Sequence, residues 1–578
     1  MLATMVGVFL SSIILFFIFL GIIGAIVSKS NKAETIQPNS ILYLKLNADI
    51  PDRTSEEFLN GWDLKNFKTS KIGLNDIVKN IHYATTDPNI KGIMLDLSTI
   101  QAGWGTMEEI RQALIDFKKS KKFVISYADV YTQKAYYLAS MADSVFLNPQ
   151  GELLFLGLRA EIMFYKGALE KLEIEPQIFR HGKFKSFVEP YTSEKMSDEN
   201  RQQLSSLLNG IWSHTLEEIS KSRKISVEEL NRYANELTIR NADSALSARM
   251  VDGLRYKDQI RELMVKLSGV KSEKKLEIVT LGKYNKVAKN ESYSPKKIAL
   301  VYACGEINLG EGDDETIGSA DMSKAIREAR QDTAVKAIVL RINSPGGSAL
   351  ASDIIWRELY LATKAKPLVV SMGATAASGG YYIASPAHFI VADATTITGS
   401  IGVFGMFFNT KNFINKKLGI TTDVAKTNEF ADAGSIFRPV TAEEREVLQG
   451  EIEHIYQTFL TRVSDGRKMD KQAVDSVGQG RVWCASDAYK LGLVDSIGSL
   501  KLAIDIAAKK AKLSSFQIVE MPKQKDFISS LLSDMNTKIK TESLRNEFGD
   551  EYLIYARIKK MLESQGVQAR LPYGVSIF

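Results

Sequence analysis

The sequence predicts an α/β protein made of one unit written twice, behind an apolar N-terminal anchor. Three observations predict this. The chain matches itself at an offset of 245 residues. Within each copy, short β-rich runs alternate with helical patterns, and ahead of both copies Gly7 to Val27 is almost continuously apolar.

The anchor comes first. No charged side chain occurs from Met1 to Ser28, and the run GVFLSSIILFFIFLGIIGAIV reaches the ~20 apolar residues that a bilayer-spanning helix needs. A cleaved signal peptide would show a basic start and a shorter apolar core. Residues 1–28 are therefore expected to be a transmembrane anchor. Lys29 and Lys32 follow the span and nothing basic precedes it, so flanking charge favours a cytoplasmic C-terminal side.

The repeat comes next. At the 245-residue offset Asp87, Lys91, Ile93 and Leu95 fall on Asp332, Lys336, Ile338 and Leu340. Ser126 meets Ser371, Tyr136-Tyr137 meets Tyr381-Tyr382, and Gly157 meets Gly402. After one-residue adjustments Val251-Asp252 meets Val494-Asp495. The period is too long for a solenoid. It predicts two tandem domains, 41–270 and 297–515, joined by a linker containing Lys271, Lys274 and Lys275.

In the second unit KIALVYACG, KAIVLRIN, KPLVVSMG and HFIVAD have the length and β-branched content of buried strands. Between them MSKAIREARQ and ASDIIWRELYLATK carry apolar residues at helical spacing. Alternating strands and helices imply parallel strands with crossover helices. Beyond the second unit, residues 516–578 are charged and amphipathic and are expected to form a helical tail with no legible chemistry.

Composition excludes several classes. With 45% hydrophobic and 25% charged residues, the chain can bury large cores and is not disordered. The net charge of +6 is spread out, so no nucleic-acid partner is indicated. Two cysteines, Cys304 and Cys484, cannot build a disulfide framework. His82, His181, His214, His388 and His454 include no pair at metal-ligand spacing, so no metal site is expected.

Candidate chemistry sits at two glycine turns of the second unit. Ser344-Pro345-Gly346-Gly347-Ser348 follows one predicted strand, and Ala376-Ala377-Ser378-Gly379-Gly380 follows another. Such turns let backbone amides approach an anion closely, and a serine beside them is a candidate nucleophile with an oxyanion hole. The first unit is the internal control. Opposite Pro345, Gly346 and Gly347 it has Ile100, Gln101 and Ala102, and opposite Ser378 it has Gln133. The scaffold is repeated and the acyl-transfer apparatus is not.

His388 is the nearest histidine to Ser378, inside a predicted strand, where a structural role is the plainer reading. A lysine can replace histidine if burial depresses its pKa from about 10.4 toward 7–8, a shift of about 4 kcal/mol against the charged form. Composition alone cannot select that lysine.

Four segments carry a resemblance to a known family: SPGGSALASD (344–353), SMGATAASGGYYIASPA (371–387), TITGSIGVFG (396–405) and GKFKSFVEPYT (182–192). In these the chain resembles the long, two-domain form of the signal peptide peptidase A family, membrane-anchored bacterial serine proteases with a Ser/Lys dyad. The resemblance implies Ser378 as nucleophile and Lys185, in the first unit, as general base. It implies that the Gly347 amide contributes to the oxyanion hole and that the Ser400 hydroxyl helps hold the lysine. Opposite Lys185 the second unit has Ala431, so each half keeps what the other lost. Lys183 is the rival for the base. The family further implies a crotonase/Clp-protease-like fold, no cofactor, cleaved signal peptides as substrates, a homotetramer, and catalytic domains facing the periplasm from the inner membrane. That last expectation opposes the flank-charge reading and is preferred, because the N-terminal flank is nearly absent. The alternatives are a crotonase-type acyl-CoA enzyme and a non-catalytic membrane scaffold.

Overall fold

A computed structural model describes residues 35–54, 72–287, 294–313, 315–524, 566–570 and 576–577, with Gly7 and Ile14. The expected anchor otherwise lies outside the described residues. Among the described residues, no helix is long and apolar enough to cross a membrane.

The duplication is visible strand by strand. The first sheet runs Ile278–Thr280, Ser40–Lys45, Ile90–Asp96, Phe123–Tyr131, Ser144–Leu153, Gly253–Leu254, all parallel. The second repeats that order with Gln517–Met521, Lys297–Cys304, Val335–Ser344, Leu368–Ala377, Phe389–Ala392, Ser496–Ile497, again parallel. Ile397–Gly399 pairs with the C-terminal end of Leu368–Ala377, and Val482–Cys484 pairs antiparallel with Ile397–Gly399.

Helices repeat in step. Leu74–Thr86 corresponds to Ser319–Gln331, and Trp104–Lys118 to Ala349–Ala365. The two longest among the described residues, Asp198–Arg223 and Ala442–Arg467, are each 26 residues. Ser197 caps one and Thr441 the other by accepting from a backbone amide, and each ends on a left-handed lysine, Lys224 or Lys468. Both sheets are covered on both faces, which is why their central strands are near-continuous apolar runs. Ile93, Leu95 and Val124 face one core of the first sheet, while Ile41, Met94 and Ile125 face Ile260 and Met264 on its other side. The second half repeats this, with Ala503 and Ala507 packed on Ile298, Leu300 and Val339.

A third sheet joins the halves. Its order is Thr316–Gly318, Glu306–Asn308, Gly346–Ser348, Gly566–Arg570, Val403–Asn409, Glu175–His181. Val403–Asn409 of the second half pairs antiparallel along its whole length with Glu175–His181 of the first. A buried ion cluster also ties the halves together. Arg341 Nε donates to Asp52 Oδ1 at 2.6 Å, and its terminal Nη2 lies 2.5 Å from Glu109 Oε1. All three side chains are buried.

Two expectations need correction. The stretch containing Lys271, Lys274 and Lys275 is not a bare linker: Ile278–Thr280 is an edge strand and Tyr284 is fully buried. The described part of 516–578 is not helical. Gln517–Met521, Gly566–Arg570 and Ser576–Ile577 are all strands: the first two pair with strands of the larger sheets, and the last pairs with Ala160–Glu161 in a separate two-stranded sheet. The segments that suggested helices lie outside the described residues.

Candidate active site

Ser378 stands where the strand Leu368–Ala377 breaks into the helix Gly379–Ala384. Its backbone has φ 56° and ψ −116°, a conformation that costs a non-glycine residue about 1–3 kcal/mol. Neighbouring strands hold it there. Ala377 is in register with Gly399, the Ser378 amide donates to the Gly399 carbonyl at 2.8 Å, and Thr398 Oγ1 donates to the Ala376 carbonyl at 2.7 Å.

Lys185 arrives from the other half. The inter-half strand Glu175–His181 ends at Gly182, whose φ of 104° turns the chain. The Phe184 amide then donates to the Gln479 carbonyl at 2.9 Å, and Lys185 begins the single helical turn Ser186–Val188. Phe187 stacks on Phe404 of the second half with centroids 4.5 Å apart. Gln203 donates to the Phe184 carbonyl and to Ser186 Oγ, both at 3.0 Å, while its own oxygen accepts from the Val482 amide at 3.2 Å. Gly480 lets this backbone approach, since a Cβ there would come within 2.7 Å of the Lys185 nitrogen.

The two side chains meet in a buried site. Lys185 Nζ lies 2.7 Å from Ser378 Oγ, 3.1 Å from Ser400 Oγ and 3.3 Å from the Ser400 carbonyl. Lys185 is 1% exposed, and Ser378 and Ser400 are 0% exposed. Burial without a charged partner pushes the Lys185 ammonium pKa well below its ordinary value, so the neutral amine is more accessible here than in a solvated lysine. An amine in that state can take a proton from the hydroxyl it touches.

Gly347 lies on the short strand Gly346–Ser348, in register with Ile307. A side chain at Gly347 would collide with the Ile307 backbone. A Cβ on neighbouring Gly346 would stand 2.7 Å from the amide nitrogen of Gly379, the residue after Ser378. The glycine turn and the serine turn, remote in sequence, therefore form one cradle.

The structure also separates the rivals. Lys183 is exposed, two residues from the buried Lys185. The His388 ring accepts from the Leu368 amide at 3.1 Å through Nδ1, a strand-to-strand tie. Gln133 accepts from the amides of Leu156 and Gly157 at 3.0 and 2.9 Å, so the first half uses the serine position to pin a loop. Ala431 is exposed in a turn. Gln203 and Gly480 escaped sequence reasoning, because neither is marked by a motif.

The family model of peptidase family S49 matches residues 116–271 and 361–514 of this chain, once in each half. Protease 4 of Haemophilus influenzae is 38% identical over 525 residues, covering 86% of this chain and 84% of that protein. Protease 4 of Salmonella typhi is 36% identical over 525 residues, covering 87% and 84%. The chloroplastic serine protease SPPA of Arabidopsis thaliana is 32% identical over 549 residues, covering 93% and 78%.

Proposed function

The chain belongs to peptidase family S49 and is a serine protease, and from that premise we propose that Ser378 is its nucleophile and Lys185 its general base. The observation that carries this reading is the 2.7 Å approach of a buried, charge-isolated lysine to a serine held in a strained turn.

Neutral Lys185 takes the Ser378 proton as Oγ attacks a peptide carbonyl. The tetrahedral oxyanion is held by the backbone amides of Gly347 and Gly379. Lys185 then returns the proton to the leaving amine, giving an acyl-enzyme and a free N-terminus. Water, deprotonated by the same amine, hydrolyses the ester and restores Ser378. Ser400 orients Nζ through its hydroxyl and carbonyl, which compensates the amine for lost water.

The substrates on this reading are peptides, cleaved signal peptides foremost. The apolar stretch Gly7–Val27 anchors the chain in the bacterial inner membrane, with both halves in the periplasm. The two parallel sheets are those of a crotonase/Clp-protease-like unit, and the working assembly is a homotetramer.

A serine-directed phosphonate tests the nucleophile. It is expected to add one adduct, located by peptide mass mapping at Ser378 and absent from Lys185→Ala. An adduct on another serine would overturn the assignment.

A further inference from the structure

Gly566–Arg570, from the far end of the chain, lies in the cradle just described. It pairs antiparallel with Gly346–Ser348 on one side and with Val403–Asn409 on the other. Ala569 is opposite Gly347 and Arg570 opposite Gly346. The Ala569 carbonyl oxygen lies 3.2 Å from where a Cβ on Gly379 would stand, and a Cβ on Gly346 would collide with it. The carbonyl of the Ala569–Arg570 bond is thus the one set against the backbone of both turns. An extended peptide held on both edges by backbone pairing is how proteases and other strand-adding sites hold substrate.

Arg570 adds a side-chain contact. It is 2% exposed, and both of its terminal nitrogens engage the two oxygens of Glu306, one of them at 2.5 Å. Glu306 begins the strand Glu306–Asn308, on the opposite side of Gly346–Ser348 from Arg570. Bare glycines at 346 and 347 leave room for the guanidinium to reach across. Forked pairing of this kind suits a planar cation better than a neutral side chain. Burial pushes the Arg570 pKa down to about 10, and the Glu306 carboxylate opposes that shift.

We propose that Glu306 is a specificity residue of the groove in which Gly566–Arg570 lies, selecting a basic side chain immediately after the bond cut. The proposal rests on Ser378 being the nucleophile. A neutral residue in that place leaves the carboxylate partly buried without its partner, and an acidic one is repelled.

The test uses the full chain and three internally quenched peptides differing only at one position, Ala-Arg, Ala-Gln and Ala-Glu, with the cut mapped by mass. The resident strand competes with all three alike, so ratios of kcat/KM are unaffected by it. The wild type is expected to favour Ala-Arg over Ala-Gln by about tenfold or more. Glu306→Gln should bring that ratio near one, Glu306→Asp should keep it, and Glu306→Arg should shift preference to Ala-Glu. Equal rates in the wild type, or an unchanged ratio in Glu306→Gln, would overturn the proposal. Cleavage that persists in Ser378→Ala would instead overturn the nucleophile, a separate result.

Discussion

Lys185 Nζ and Ser378 Oγ are 2.7 Å apart across 193 residues of sequence, each supplied by a different half of a duplicated chain. Two scaffolds of the same topology have diverged so that the proposed dyad is assembled at their junction. The inter-half strand pair and the Gln203 bridge set that distance, so the site's precision resides in the contact between halves.

The first prediction concerns pH. On the proposed mechanism the neutral amine of Lys185 is the active form, and burial places its pKa below the ordinary 10.5. The pH profile of kcat/KM should therefore rise through a single ionisation well under 10.5 and then level off. A rise only at ordinary lysine pH would contradict the buried base.

The same burial opposes folding. Between the folded and unfolded pKa of Lys185 the unfolded chain holds the extra proton, so the penalty shrinks as pH rises toward 10.5 and is full below the folded value. Lys185→Met should melt higher than wild type at neutral pH while losing activity, and the gap in Tm should narrow on the alkaline side. A lower Tm for Lys185→Met throughout would contradict this.

Gly480 touches the base without reacting. Gly480→Ala would press a methyl to within 2.7 Å of the Lys185 backbone, at a φ of 78°. A misplacement of this order should lower kcat about 10²-fold while the circular dichroism spectrum stays native. Wild-type kcat would show that the lysine tolerates the shift.

The ion cluster between halves should be sensitive to removal of one partner. Glu109→Ala leaves Arg341 short of a buried counter-charge 2.5 Å away and should destabilise the protein by about 3–5 kcal/mol, read from chemical denaturation. A change within 1 kcal/mol, on the order of a surface pair, would contradict its structural role.

Much of this was legible in the residues. The repeat, the strands KAIVLRIN and PLVVSMG, the helix before the first and the helix between the two follow from periodicity, and they occur as Val335–Ser344, Leu368–Ala377, Ser319–Gln331 and Ala349–Ala365. The third sheet was not legible. Glu306–Asn308, Thr316–Gly318 and Gly346–Ser348 have three residues each, too few for a period of two to register, and glycines at 346 and 347 signal a turn first. Gly566–Arg570 becomes a strand only because the edges of Gly346–Ser348 and Val403–Asn409 await it, a tertiary fact with no local signature. Lys185 is chemically distinct from exposed Lys183 through burial alone, which composition cannot express.

The central claim is a dyad shared between halves, and the direct measurement is kcat/KM for peptide hydrolysis by four forms of the full chain. Ser378→Ala and Lys185→Ala should each fall by about 10³-fold or more, whereas Lys183→Ala should stay within about twofold of wild type. Full activity in Lys185→Ala, or abolition by Lys183→Ala with the fold intact, would contradict the account.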